Sequence, residues 1–192
     1  MRPPRLSTSP ALLTFALLCG CSEARIPLDS GDPMGWDTAV SGLQSAGEGI
    51  IINELLADSS SGPDWIELFN PTAQAIALDG YALTDAVGES PGWALPAGRV
   101  LAPGAHLLVW ADAEDSTADA QDGALHATFK LSKEGEAVAL LHPDGGLADQ
   151  VVLPASDTDQ SWGRAGDGAL SWNHFRPPTP AAPNPQPDAT SP

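Results

Sequence analysis

Between Ile50 and Pro71 the chain reads IIINELLADSSSGPDWIELFNP, two short apolar runs joined by a polar Ser-Ser-Ser-Gly-Pro segment. In the first run Ile50, Ile52, Glu54 and Leu56 alternate with Ile51, Asn53 and Leu55. The second run, Asp64 to Asn70, sets Ile66 and Leu68 on one face and Trp65, Glu67 and Phe69 on the other. A period of two, with β-branched and aromatic enrichment, predicts two strands joined by a loop. A helix would need apolar residues three and four apart, and Gly62-Pro63 would break it. The chain opens as β.

The same texture continues downstream. Ala75–Leu78 and Tyr81–Thr84 flank Asp79-Gly80, which predicts a tight hairpin. Trp93–Leu95 runs into Pro96-Ala97-Gly98, and Arg99–Leu101 into Ala102-Pro103-Gly104, both strong turn compositions. His106–Ala111 (HLLVWA) predicts a buried strand. Further strands are predicted at Ala127–Leu131, Ala137–His142 and Ala148–Leu153, the last two separated by Pro143-Asp144-Gly145-Gly146. Short strands at regular spacing, with no convincing helical stripe, predict an all-β sandwich or barrel. Residues 49–176 carry this pattern. Beyond them, Pro177 to Pro192 holds seven prolines in sixteen residues and reads as an extended Pro-rich tail.

The N-terminal region follows different rules. Arg2 and Arg5 precede the apolar run Ala11 to Cys19, which is short for a membrane span. Residues 1–20 therefore read as a signal peptide. Its end, Leu18-Cys19-Gly20-Cys21, resembles the bacterial lipobox, with Leu18 at −3 and Gly20 at −1 of a lipidated Cys21. Cys at −2 is a mild departure from that pattern. Residues 21–48, rich in Ser, Gly, Asp and Pro, read as a flexible, disordered acidic linker. With Cys19 removed and Cys21 acylated, the folded part has no cysteine to pair and must hold together by packing. Ser22 after the cysteine, by analogy with Gram-negative lipoproteins, predicts outer-membrane anchoring on the periplasmic face or the cell surface.

Charge narrows the choice of partners. The chain carries 25 acids against 8 Lys and Arg, a net −17, and losing Arg2 and Arg5 makes it −19. Such a surface repels phosphate backbones and anionic headgroups, so no nucleic-acid partner is expected. Acidity does suit divalent cations, and the loop 112–122 (DAEDSTADAQD) raises calcium. EF-hand spacing fails there, because Glu114 and Thr117 stand where Asp or Asn and then Gly are wanted. His106, His126, His142 and His174 are too dispersed for a local zinc motif.

Gly88-Glu89-Ser90-Pro91-Gly92 matches the G-x-S-x-G hydrolase pattern. However, Pro91 removes an N–H that the oxyanion hole needs, and no strand-to-helix elbow surrounds it. The tryptophans Trp65, Trp93, Trp110, Trp162 and Trp172 lie in or beside strand candidates and suit core filling or edge cover better than a carbohydrate platform. Glu67, between same-face Trp65 and Phe69, needs a partner if buried: Arg99, Lys130 or a loop N–H. The sequence thus assigns a lipidation site, Cys21, but no catalytic, cofactor-binding or metal-ligating residue, and no cofactor.

Taken in order, Ile52-Asn53-Glu54-Leu55, Asp64 to Asn70 and Leu78 to Asp85 resemble the lamin tail domain family. The pattern continues through Leu95-Pro96, Leu101 to Gly104, Phe129 to Ser132, Val138 to Leu140 and Gly146 to Asp149. It closes with the Arg164 region and Pro178-Thr179-Pro180 through Asn184. The resemblance implies an immunoglobulin-like β-sandwich and no known catalytic activity. In nuclear lamins the domain is an interaction module attached to a coiled-coil rod; no heptad segment is present here. Bacterial relatives occur as secreted or lipid-anchored proteins and beside extracellular nuclease or phosphatase domains, for which this chain has no room. The expectation is a non-enzymatic envelope lipoprotein held to the membrane through Cys21, binding a protein or cell-surface partner. The alternative is a calcium-dependent binding or accessory module using residues 112–122.

Overall fold

Runs of alternating apolar residues bury one face only when another layer covers it, and this chain supplies that layer itself. A computed structural model describes residues 49–89, 91–114 and 124–186. Residues 1–48, where the signal peptide, Cys21 and the linker are expected, lie outside them, as do Ser90, most of the acidic loop and residues 187–192.

The opening pair is β1 (Ile51–Leu56) and β2 (Asp64–Phe69), followed by β3 (Ile76–Ala77) and β4 (Ala82–Thr84). Then come β5 (Trp93–Ala94), β6 (Val100–Leu101), β7 (His106–Ala111) and β8 (Leu125–Ala127). The chain ends its strands with β9 (Glu136–Leu141), β10 (Leu147–Leu153), β11 (Ser161–Arg164) and β12 (Trp172–Phe175). One sheet has six strands in the order β12-β11-β1-β2-β7-β8, the second has four, β10-β9-β4-β5, and β3 pairs with β6 alone. The result is an immunoglobulin-like β-sandwich, and no helix occurs among the described residues. Ile52, Leu55, Ile66, Leu68 and Val109 from the larger sheet meet Leu83, Val138, Leu140 and Leu153 from the smaller. All nine side chains are buried. With no cysteine in this region, that interdigitation carries the stability.

Four local expectations are revised by the fold. Strict alternation in β1 fails at Asn53, where the register with β2 slips between Ile52 and Glu54. The extra residue of this β-bulge returns Leu55 to the core opposite Ile66 and turns Glu54 to the outer face opposite Glu67. Asp79-Gly80 does turn the chain, with Tyr81 N–H donating to Leu78 O at 3.1 Å, but β3 and β4 do not pair. They belong to different sheets, β3 with β6 and β4 with β9 and β5, so the turn is a crossing between layers. The strand expected at Ala127–Leu131 instead covers Leu125–Ala127, because it pairs in parallel with β7. Finally, two strands beyond the last one expected at Leu153 extend the larger sheet, β11 pairing with β1 and β12 with β11. Gly163 and the buried Arg164 hide β11 from a hydrophobicity pattern.

The Pro-rich segment forms no strand among the described residues and is not extended throughout. It turns at Thr179–Ala182, where the Ala182 amide donates to Thr179 O at 3.1 Å and Ala181 has a φ of 57°. Residues 177–186 lie against the outer face of the six-stranded sheet. Thr179, Ala181 and Asn184 all hydrogen-bond to residues of that sheet. This strap continues the folded unit beyond residue 176.

Candidate functional site

The outer face of the larger sheet is organised in rows fixed by strand register. One row is Leu56, Trp65, Trp110 and His126, contributed by β1, β2, β7 and β8. The next is Gly163, Glu54, Glu67 and Leu108. A third joins Ile51, Phe69 and His106, with the last two rings 4.8 Å apart.

The acidic row is covered by the strap. Glu54 is fully buried and accepts hydrogen bonds from the hydroxyl of Ser161, from the amide of Thr179 at 3.1 Å and from its hydroxyl at 2.7 Å. Glu67 is equally buried and accepts from Asn53 Nδ2 at 3.0 Å and from the Ala181 amide at 2.6 Å. The loop N–H among the expected partners of Glu67 is thus Ala181, with the bulge residue Asn53 as its second. Burial pushes the Glu67 carboxyl up to about 7. The hydrogen bond from Asn53, the nearby His106 and the Ala181 amide pull the other way, while the neighbouring Glu54 adds to the rise.

Asp167 closes the network. Its Oδ1 accepts from Asn53 Nδ2 at 3.0 Å and from the Asn184 amide at 2.9 Å, and its Oδ2 lies 3.1 Å from His106 Nε2. Asn184 donates in turn to the carbonyls of Asn53 and Arg164. Every carboxylate oxygen here faces a fixed donor or an imidazole, an arrangement that holds backbone in place. Thr179 and Ala181 of the strap occupy the space directly above Glu54 and Glu67.

Beside the strap lies a groove of about 340 Å³. Leu56, Trp65 and Trp110 form its apolar side, with Pro178 and Pro180 of the strap. Its polar rim is Ser59, Ser60, Ser61 and Asp159. The Ser60 amide and hydroxyl both donate to Asp159, at 2.8 and 2.6 Å, and hold its carboxyl below the usual range. The tryptophans therefore divide. Trp93 sits in the core, and its indole N–H has no partner among the described residues. Trp162 and Trp172 pack on the core edge with rings stacked at 6.2 Å, while Trp65 and Trp110 wall the groove.

At the far end of the first row, β7 runs out at Ala111 and Asp112 follows. Its Oδ2 lies 2.6 Å from His126 Nδ1, and its Oδ1 accepts the Glu114 amide at 3.1 Å. Of the four dispersed histidines, His126 is therefore brought beside the acidic loop, a contact that the parallel pairing of β7 and β8 creates. Sequence spacing gave no sign of it. Residues 115–123 of that loop lie outside the described residues, as do Ser90 and Cys21.

Residues 44–154, more than half of the chain, match the family model described as Lamin Tail Domain. No match was found among curated proteins. The match spans β1 to β10 and agrees with the sandwich those strands build. The chain belongs to the lamin tail domain family.

Proposed function

We propose that this chain is a non-enzymatic, lipid-anchored protein of the cell envelope, and that its sandwich is a binding module for a protein or cell-surface partner. The observation that carries the binding reading is the groove walled by Trp65 and Trp110 and rimmed by Ser59, Ser60, Ser61 and Asp159. Aromatic walls with a few fixed polar groups are the usual make-up of a recognition site. The buried acids support the non-enzymatic reading, since both side chains are saturated by strap and strand donors.

The anchor rests on Leu18-Cys19-Gly20-Cys21 at the end of the apolar leader. More than one acyl chain on Cys21, at about 0.8 kcal/mol per buried methylene, would hold the protein durably to a bilayer. Ser22 favours the outer membrane, on the periplasmic face or the cell surface. Metabolic labelling with palmitate should mark the parent and not Cys21→Ala; equal labelling of the two would remove the anchor. Photo-crosslinking from position 110 in intact envelopes should give a discrete adduct that Trp65→Ala weakens. A smear insensitive to Trp65→Ala would remove the groove as the binding surface.

A further inference from the structure

We propose that Asp112, Glu114 and His126 form a binding site for a divalent first-row transition ion of the zinc or manganese type. The site is independent of the partner-binding reading. His126 comes from β8, and Asp112 and Glu114 directly follow β7. The parallel register sets His126 beside Trp110, and Asp112 is two residues beyond Trp110 on the same side of β7. The imidazole consequently meets the Asp112 carboxylate at 2.6 Å. The Glu114 amide then folds back onto Asp112 Oδ1, and one ligand atom from each of the three residues lies within 4.8 Å of the others.

A hydrogen-bonded His–Asp pair would account for two of these residues, not for the third. The Asp112 and His126 side chains are only 14% and 18% exposed, and Glu114 brings a second carboxylate to that partly desolvated pair. The two carboxylates repel each other, and a cation held between them and the imidazole would offset that repulsion. The dimensions suit one. Ligands about 2.0–2.2 Å from a common ion stand roughly 3–4 Å apart. An ion therefore needs His126 and Asp112 to part by about 1 Å, a small shift for a strand at the end of the sheet order among the described residues.

The donor chemistry also chooses the metal. Calcium takes six to eight oxygens, and an imidazole nitrogen is foreign to it. A set of one nitrogen and two carboxylate oxygens suits zinc or manganese, with water completing the coordination. The acidic loop thus yields a metal site of a different kind from the calcium loop that its composition suggests.

The test is calorimetric titration of the mature lipoprotein in detergent with zinc chloride, manganese chloride and calcium chloride, alongside melting curves. Zinc or manganese should bind one ion per chain and raise the melting temperature, and calcium should do neither at the same concentration. Glu114→Gln, at an exposed residue, should weaken binding by about tenfold or more while leaving the metal-free melting temperature unchanged. His126→Gln should abolish it, and X-ray absorption on the zinc-loaded parent should report a single nitrogen among oxygens. Binding unchanged in Glu114→Gln, absence of binding in the parent, or calcium binding as tightly as zinc would each overturn the site.

Discussion

Glu67 has two donors aimed at its two oxygens, Asn53 Nδ2 and the Ala181 amide, inside a region closed to solvent. Those donors favour the carboxylate while burial favours the neutral acid, and burial wins, which is why the group titrates near 7. The sign of the consequence follows from linkage. The folded chain holds this proton to a higher pH than the unfolded chain does, whose ordinary value is 4.5. The stability that Glu67 contributes is complete below about 4.5 and is lost as pH rises through about 7. Glu67→Gln cannot titrate, and its amide must point N–H at one of the two donors, costing about 1–3 kcal/mol. Urea unfolding of parent and variant at pH 5 and pH 8 should show the variant less stable at pH 5 and the gap narrower at pH 8. The residue was conspicuous in the sequence as an acid between Trp65 and Phe69. Its amide partner lies 114 residues away and was not legible.

At the scale of elements, the strap and β11 depend on a residue that has no side chain. Gly163 stands opposite Glu54 on the outer face. A Cβ there would lie 2.6 Å from Phe175 Cε2, 2.9 Å from Glu54 Cγ and 3.0 Å from Asn184 Nδ2. The first two neighbours are held by the sheet, so the strap is the part that yields. Gly163→Ala should destabilise by about 1–3 kcal/mol through overpacking. Hydrogen exchange should speed up at the Ala181 and Thr179 amides, whose acceptors are Glu67 and Glu54. Unchanged protection at those two amides would mean that the strap is seated by something other than this contact. Element boundaries followed a similar logic. His106–Ala111, expected as a buried strand, is β7 residue for residue, but only Val109 and Ala111 are fully buried and the other four are half-buried. By contrast, β8 moved because its partner fixed it.

For the whole molecule, the decisive interaction joins the two sheets at one edge. Arg164 in β11 is 2% exposed, and its Nη2 donates to Asp149 Oδ2 of β10 at 2.8 Å. Its Nε donates to Ile52 O and its Nη1 to Ala169 O, both at 2.7 Å, and its guanidinium lies 4.8 Å from the Trp172 ring centre. Asp149 Oδ2 also accepts the Ile52 amide at 2.8 Å, so the pair binds the backbone of β1 as well. Removing one member of a buried pair strands the other without compensation, at a cost of about 3–5 kcal/mol. Arg164→Ala should lose that much in urea denaturation. Arg164→Lys should recover little, because an ammonium cannot reach three acceptors set in a fork. A loss below about 1 kcal/mol would show that apolar burial alone joins the layers.

The sequence by itself determined the β class, the opening strand pair, the β9–β10 turn, the absence of a cysteine to pair in the folded region and the resemblance to the family. These properties are local or ordered along the chain: period-two alternation, turn residues, composition and motifs in series. The tertiary structure alone decided which face Glu54 takes after the bulge at Asn53, and that the Asp79-Gly80 turn crosses between sheets. It also decided that the proline-rich segment covers the acids, and that His126 meets Asp112. Each depends on residues far apart in sequence, up to the 131 positions between Asn53 and Asn184. Periodicity describes what a strand presents to its two sides. Which neighbour fills each side is settled only when the sheets close.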